Sequence, residues 1–315
     1  MNAKKLIQLC YQPKRSNKTR QRILRHATKS RRELKIVRAV LSSFDDDDEV
    51  KHPSVNYKRT FDEMNEVFEA TKYERIEHLT QRQKDLLQNE LEMYENDNIE
   101  FRNCSGQIVK RLSMNTLQPG RELNDEIINH FYSLLQKELN ENVMFKQKNV
   151  FLTTHFIPTL IHEKNGYCFD KIKNWSFRRR IGDLFQQHKV IIPCHVNGNH
   201  WTCAIICITT KRIYYLDPLI VTSTNNIPGF LKQYLEDEWN AFGRTREFNR
   251  LEWNVVKPGK GEIPRQTNNY DCGVYVCMYA YYMSQNKRIN FLSSDINIIR
   301  QRMTYSIMKQ KLCIH

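Results

Sequence analysis

The chain has few of the features that identify a function at once. Its nine cysteines are odd in number and form no C-x-x-C pair, and Cys194, His195, Cys203 and Cys207 lack the spacing of a zinc finger. Neither a disulfide framework nor a structural metal site is expected, and the thiols fit a reducing compartment. The five consecutive acids from Asp45 to Glu49 lack the alternation and the glycine of a calcium loop. No apolar run is long enough to span a bilayer, and no secretory signal is visible, so a soluble protein without a transmembrane segment is expected. Internal repeats are absent. Nothing in the residues asks for a metal or an organic cofactor, and none is expected.

Acids are scarce at the N-terminus. Residues 1–40 hold 13 lysines and arginines against the single acid Glu33, while the 315-residue chain as a whole carries +14. The basicity therefore belongs to the tail. The stretch from Pro13 to Arg22 is compatible with a nuclear-import signal. Ser30-Arg31-Arg32-Glu33 has capping-box spacing ahead of Leu34, Val37 and Leu41, which fits a short basic amphipathic helix. An import receptor, nucleic acid and acidic lipid are the candidate partners, beside a plainly solvated tail. No aromatics interleave the basic residues, so specific nucleic-acid binding is not expected. The expected location is nuclear, with the nuclear envelope and the cytoplasm as alternatives. The organisation reads as a basic tail over 1–44, an acidic linker and the start of a helical extension over 45–75, and one domain over 76–315. Apolar positions from Phe61 to about Met93 fall mostly at helical spacings.

The domain is organised around Gln266-Thr267-Asn268-Asn269-Tyr270-Asp271-Cys272-Gly273 and the apolar run through Met283. That run has no charge and no proline, and predicts a helix buried on every side. Cys272 sits where the helix begins. Unpaired amides and the macrodipole favour a thiolate there, whereas a lone buried cysteine is otherwise commonly structural. Asn269 and Asp271 are expected to supply the turn and the cap. A thiolate needs a base, and the base needs an orienting group. His200-Trp201 opens an apolar strand, a turn follows at Thr210-Lys211-Arg212, and Ile213 to Leu216 leads to Asp217. Paired strands bring His200 and Asp217 to one edge. Gln266, six positions before Cys272, can donate to an oxyanion together with the Cys272 amide. His195 reads as a polar loop residue, because His200 alone begins the strand that pairs toward Asp217.

Other elements follow in order: a short strand over Ile108 to Leu112, and a helix from Leu123 to Leu135 capped by Asn124 and Asp125. Next come a strand over Val190 to Pro193, a helix from Gly229 through Trp239, a strand over Leu251 to Val255, and a closing helix from Ile296 to Leu312. The fold class is α+β: a small, mostly antiparallel sheet with a central helix beginning at the nucleophilic cysteine.

Four motifs in this order resemble the SUMO-specific cysteine proteases of the ubiquitin-like-protease (Ulp/sentrin protease) family. They are Leu123-Asn124-Asp125-Glu126-Ile127-Ile128, His200-Trp201, Tyr214-Tyr215-Leu216-Asp217 and Gln266 to Gly273. The resemblance covers roughly residues 75–315. It implies a papain-like fold, with Cys272 as nucleophile, His200 as general base and acid, Asp217 as orienter and Gln266 as oxyanion donor. It also implies a SUMO-like modifier and SUMO-conjugated proteins as partners, with maturation and deconjugation as the reactions. Trp201 would lie over the channel for the Gly-Gly tail, Asp125 would border it, and Trp175 would lie near the modifier surface with Arg178-Arg179-Arg180 as a basic rim. Members carry Trp directly before Leu-Asn-Asp, where this chain has Glu122; half of the aromatic clamp is thus a carboxylate, and a wider channel or a looser lid is expected. The competing readings are a protease for a Nedd-type modifier or a viral polyprotein, a non-catalytic modifier-binding adaptor, and acyl transfer with the same residues.

Overall fold

The computed structural model describes residues 75–92, 100–102, 106, 108–141, 149–162, 166–173, 175, 182–219 and 226–315. The basic tail, the acidic run, the extension before residue 75 and the Arg178–Arg180 triplet lie outside the described residues. Five helices longer than ten residues occur among the described ones: α1 Gln81–Glu92, α2 Asp125–Glu141, α3 Ile227–Ala241, α4 Cys272–Ser284 and α5 Ile296–Lys309. Nine strands accompany them: β1 Glu100–Arg102, β2 Ile108–Lys110, β3 Asn149–Phe151, β4 Ile161–His162, β5 Gly166–Tyr167, β6 Lys189–Val196, β7 His200–Cys207, β8 Arg212–Leu216 and β9 Asn254–Val256. No described helix is long and apolar enough to cross a membrane.

The main sheet has the order β3-β6-β7-β8-β9. Its inner pairs, β6–β7 and β7–β8, are antiparallel, and its outer pairs, β3–β6 and β8–β9, are parallel. Helices cover both faces. This is why β7, at the centre, reads as a nearly unbroken apolar run from Trp201 to Cys207 and not as an alternating one. One face carries Val190, Ile192, Ala204, Ile206, Ile213 and Tyr215, packed with α3 and the short helix Phe156–Leu160. Against the other lie α2 and α4, with α5 packed behind them.

Every residue of α4 is buried. An uncharged helix that the sheet and two other helices enclose needs no polar face, which accounts for its lack of amphipathic pattern. Its last carbonyls are satisfied from the sheet: buried Lys189 donates Nζ to the Met283 carbonyl (2.5 Å), and Asn149 donates Nδ2 to that of Ser284 (2.8 Å). Helix α2 begins at Asp125, two residues later than expected; Asn124 Oδ1 caps it by accepting the Ile127 amide at 3.1 Å, while Asp125 lies inside the first turn.

Several elements differ from expectation. Arg111 and Leu112 start a helical turn, Arg111–Met114, so the strand ends at Lys110. Leu251 belongs to the 3-10 turn Arg250–Glu252, and the strand that follows pairs parallel with β8. Strand β6 runs through Pro193 and His195 to Val196 before the turn. Beyond Ile191 no β3 residue pairs with β6, so the missing Pro193 N–H leaves no gap in a ladder.

Candidate active site

The hairpin β6–β7 turns through Asn197 and Gly198, both at positive φ (55° and 76°), and delivers His200 as the first residue of β7. Strand β8 ends opposite at Leu216, so Asp217 emerges beside it. The His200 Nε2–H donates to Asp217 Oδ1 at 2.7 Å. A second donor, the Leu219 amide, reaches the same oxygen at 2.9 Å. The Cys272 side chain lies near enough to the same imidazole to favour its charged form. Both His200 and Asp217 have side chains only 12% exposed. Burial alone would lower the imidazole pKa; the bond to Asp217 and the charges of Asp217 and Cys272 outweigh it and raise the value to about 9. The ring is thus held as an imidazolium at neutral pH, between the Asp217 carboxylate and Cys272.

Cys272 opens α4 and is 1% exposed. The turn before it is shaped by Asn268 and not, as expected, by Asn269, which is exposed. Asn268 Oδ1 accepts the amides of Tyr270 (3.2 Å) and Asp271 (3.1 Å), and its Nδ2 donates to Asp271 Oδ2 at 2.7 Å. Asp271 stands at the N-cap position but makes no side-chain cap. Its carboxylate is taken by Arg300, whose Nη2 and Nε donate to Oδ1 at 2.6 and 3.2 Å. Arg300 is itself 1% exposed and needs a buried anion more than the helix needs a cap. It also donates to the carbonyls of Thr116, Gln118, Arg121 and Tyr270. Sequence reading missed Arg300, because its partners lie from 29 to 184 positions away.

Gln266 is 7% exposed, and its Nε2 donates to the Asn268 carbonyl at 2.7 Å, leaving one amide hydrogen for a further acceptor. Its main-chain N–H donates to Pro218 O at 3.0 Å, joining its loop to that of Asp217. Trp201 donates Nε1 to the Leu123 carbonyl (3.0 Å) and packs on His195, ring centroids 4.3 Å apart. His195 is therefore a strand residue in register with Trp201, where a loop residue was expected; counting the hairpin register would have found it. An open cleft of about 410 Å³ runs along this wall, lined by Glu122, Leu123, Asn124, Asp125, His155, His195 and Trp201 among others. Glu122 is exposed at its rim. Trp175 is not brought to this group. It is half-buried edge-on to Phe156 (5.8 Å), on the face of the sheet away from α4. Among the described residues, no three His, Cys, Asp or Glu side chains are grouped to hold a metal ion.

The family model described as "Ulp1 protease family, C-terminal catalytic domain" matches residues 121–312. The chain belongs to the Ulp1 protease family. Among curated relatives, Sentrin-specific protease 2 of Homo sapiens is 34% identical over 204 residues, covering 65% of this chain and 33% of that protein. Ubiquitin-like-specific protease 1A of Arabidopsis thaliana is 27% identical over 225 residues, covering 71% of this chain and 42% of the relative. The chain thus spans about a third of the length of the sentrin-specific proteases it matches. Among solved structures, the C-terminal Ulp1 protease domain in complex with Smt3, the yeast ortholog of SUMO, superposes with a TM-score of 0.60 at 23% identity. That match covers 75% of this chain and 98% of that one, and it shows the Ulp1 protease fold. The cysteine-led helix against a mixed sheet is therefore the architecture of the Ulp1 family.

Proposed function

We propose that the chain is a thiol isopeptidase and endopeptidase that cleaves after the C-terminal Gly-Gly of a SUMO-type modifier, both in precursors and at lysine side chains. The observation that carries this reading is a half-buried imidazole bonded to Asp217 at 2.7 Å and lying beside a cysteine at a helix N-terminus. The names of the sentrin-specific relatives support the substrate class. In the reaction, the Cys272 thiolate attacks the glycine carbonyl, and the C=O pair moves to oxygen. The free amide hydrogen of Gln266 and the Cys272 N–H hold that oxyanion; a donor of this kind is worth about 10²–10³ in rate. Collapse expels the lysine ε-amine or peptide nitrogen, which takes its proton from His200, while Asp217 keeps the ring oriented. Water, giving a proton back to His200, then hydrolyses the thioester and frees the thiolate.

Trp201, Asp125 and Glu122 are assigned to the tail of the modifier, because they line a cleft that shares Leu123 with the start of α4. Trp175 remains a candidate contact to the modifier's outer surface. The basic tail is assigned to an import receptor, and with it a nuclear location. The test is reaction of the full chain and of Cys272→Ser with SUMO, a Nedd-type modifier and ubiquitin, each tipped with a C-terminal electrophile. An adduct with SUMO alone, lost in Cys272→Ser, is expected. No adduct with any of the three from folded protein would sink the reading, and an adduct with only the Nedd-type modifier would reassign the substrate.

A further inference from the structure

Arg265, the residue before Gln266, has a half-buried guanidinium that touches no carboxylate in the bonds it makes. Through Nη1 it donates to the main-chain carbonyls of Asp217 (2.5 Å) and Leu219 (3.4 Å). Through Nη2 it donates to those of Pro258 (2.6 Å) and Gly259 (3.2 Å). The Gln266 amide takes the carbonyl in between, that of Pro218. All three carbonyls of Asp217-Pro218-Leu219 are therefore tied to the dipeptide Arg265-Gln266. Arg265's own carbonyl accepts Tyr275 Oη (3.1 Å) and Ser293 Oγ (3.3 Å), and Tyr275 lies on α4 three residues beyond Cys272. A planar fork with five donors can hold several carbonyls at fixed angles, which a flexible ammonium cannot.

We propose that Arg265 is a positioning residue of the reaction: it clasps the Asp217–Leu219 main chain, so that the Asp217 carboxylate stays on His200 and Gln266 moves with it as one unit. The Leu219 amide that bonds the Asp217 carboxylate belongs to the same clasped segment, so loosening the clasp frees the carboxylate from both donors. What the alignment achieves rests on the hydrolase reading; the alignment itself does not.

The experiment therefore has a readout that needs no substrate. Carbamidomethylation of Cys272 in the full chain is followed by peptide mass from pH 5 to 10, in wild type, R265K, R265Q, D217N and R265Q/D217N. The titratable groups facing His200 are Asp217, Cys272 and, across the hairpin, His195. Wild type is expected to show an inflection near pH 9, where His200 loses its proton. R265Q is expected to lower that inflection by about one pH unit, R265K by less, and R265Q to add nothing in the D217N background, as for residues acting through one another. Hydrolysis of a modifier–fluorophore conjugate is expected to lose kcat by about 10- to 100-fold in R265Q, with KM nearly unchanged. R265Q titrating like wild type, or its effect adding in full to that of D217N, overturns the proposal even if activity falls. If R265Q fails to fold, R265K decides in the same way. A wild-type chain that alkylates as expected but hydrolyses no modifier defeats the functional reading alone.

Discussion

At Gly273, α4 closely approaches Leu123 in the wall of the cleft. A Cβ placed there would lie 2.7 Å from Leu123 Cβ, 3.3 Å from its Cγ and 3.4 Å from its Cδ1. The nearest of these atoms is fixed to the main chain and cannot swing aside as a side-chain end would. Leu123 is also 2% exposed, with its carbonyl held by Trp201 Nε1. Restoring an ordinary carbon–carbon contact of about 3.5–4.0 Å requires the two segments to part by about 1 Å. Overpacking of this kind costs about 1–3 kcal/mol, and each kcal/mol lowers Tm by about 2–4 °C in a chain of this size. A displacement of that order next to Cys272 costs about 10²-fold in rate. G273A should therefore melt a few degrees below wild type and lose about two orders of magnitude in kcat/KM, measured by differential scanning fluorimetry and with a modifier–fluorophore substrate. Wild-type Tm and turnover together would refute the close-approach reasoning. A lowered Tm with unchanged turnover would refute the link from that approach to the chemistry.

Three further outcomes are expected. R300M leaves Asp271 buried without its cation and should cost about 3–5 kcal/mol in urea denaturation, with D271N/R300M recovering part of the loss. His200, raised to about 9 in the folded chain, contributes stability that is complete below about pH 6.5 and disappears as pH rises through 9. The Tm difference between wild type and H200Q should shrink over that window. His130 and His188 behave oppositely: burial lowers each to about 4, so their contribution is complete above pH 6.5 and is lost as pH falls toward 4. A double H130N/H188N variant should show a flatter urea midpoint between pH 7 and 4.

What the sequence made legible is what depends on neighbours along the chain. The unbroken apolar run after Cys272 could only be a buried helix. The two apolar segments around Thr210-Lys211-Arg212 could only pair as β7 and β8, and that pairing alone places His200 beside Asp217. What stayed hidden depends on partners far away. Asp271 has the sequence position of a helix cap, and only Arg300 in the last helix makes it an ion-pair partner. Arg265 binds main-chain carbonyls, which every residue type possesses, so no pattern of side chains marks its targets. Leu251 alternates with its neighbours like a strand residue, yet it is 90% exposed on a 3-10 turn. Local alternation cannot tell an edge strand from the turn that leads into it.

The reach of Arg300 bears on when the turn before Cys272 takes shape. Its bonds to Thr116, Gln118 and Arg121 span 184, 182 and 179 positions, and it also holds the acid next to Cys272. During synthesis His200, Asp217, Gln266 and Cys272 all leave the ribosome before residue 300 does. Until that arginine arrives, the Asp271 charge has no buried cation beside it, and the turn that presents the cysteine is not tied to the main chain of Thr116, Gln118 and Arg121. A nascent chain therefore carries all four groups without the geometry that sets them, and the last helix closes the site.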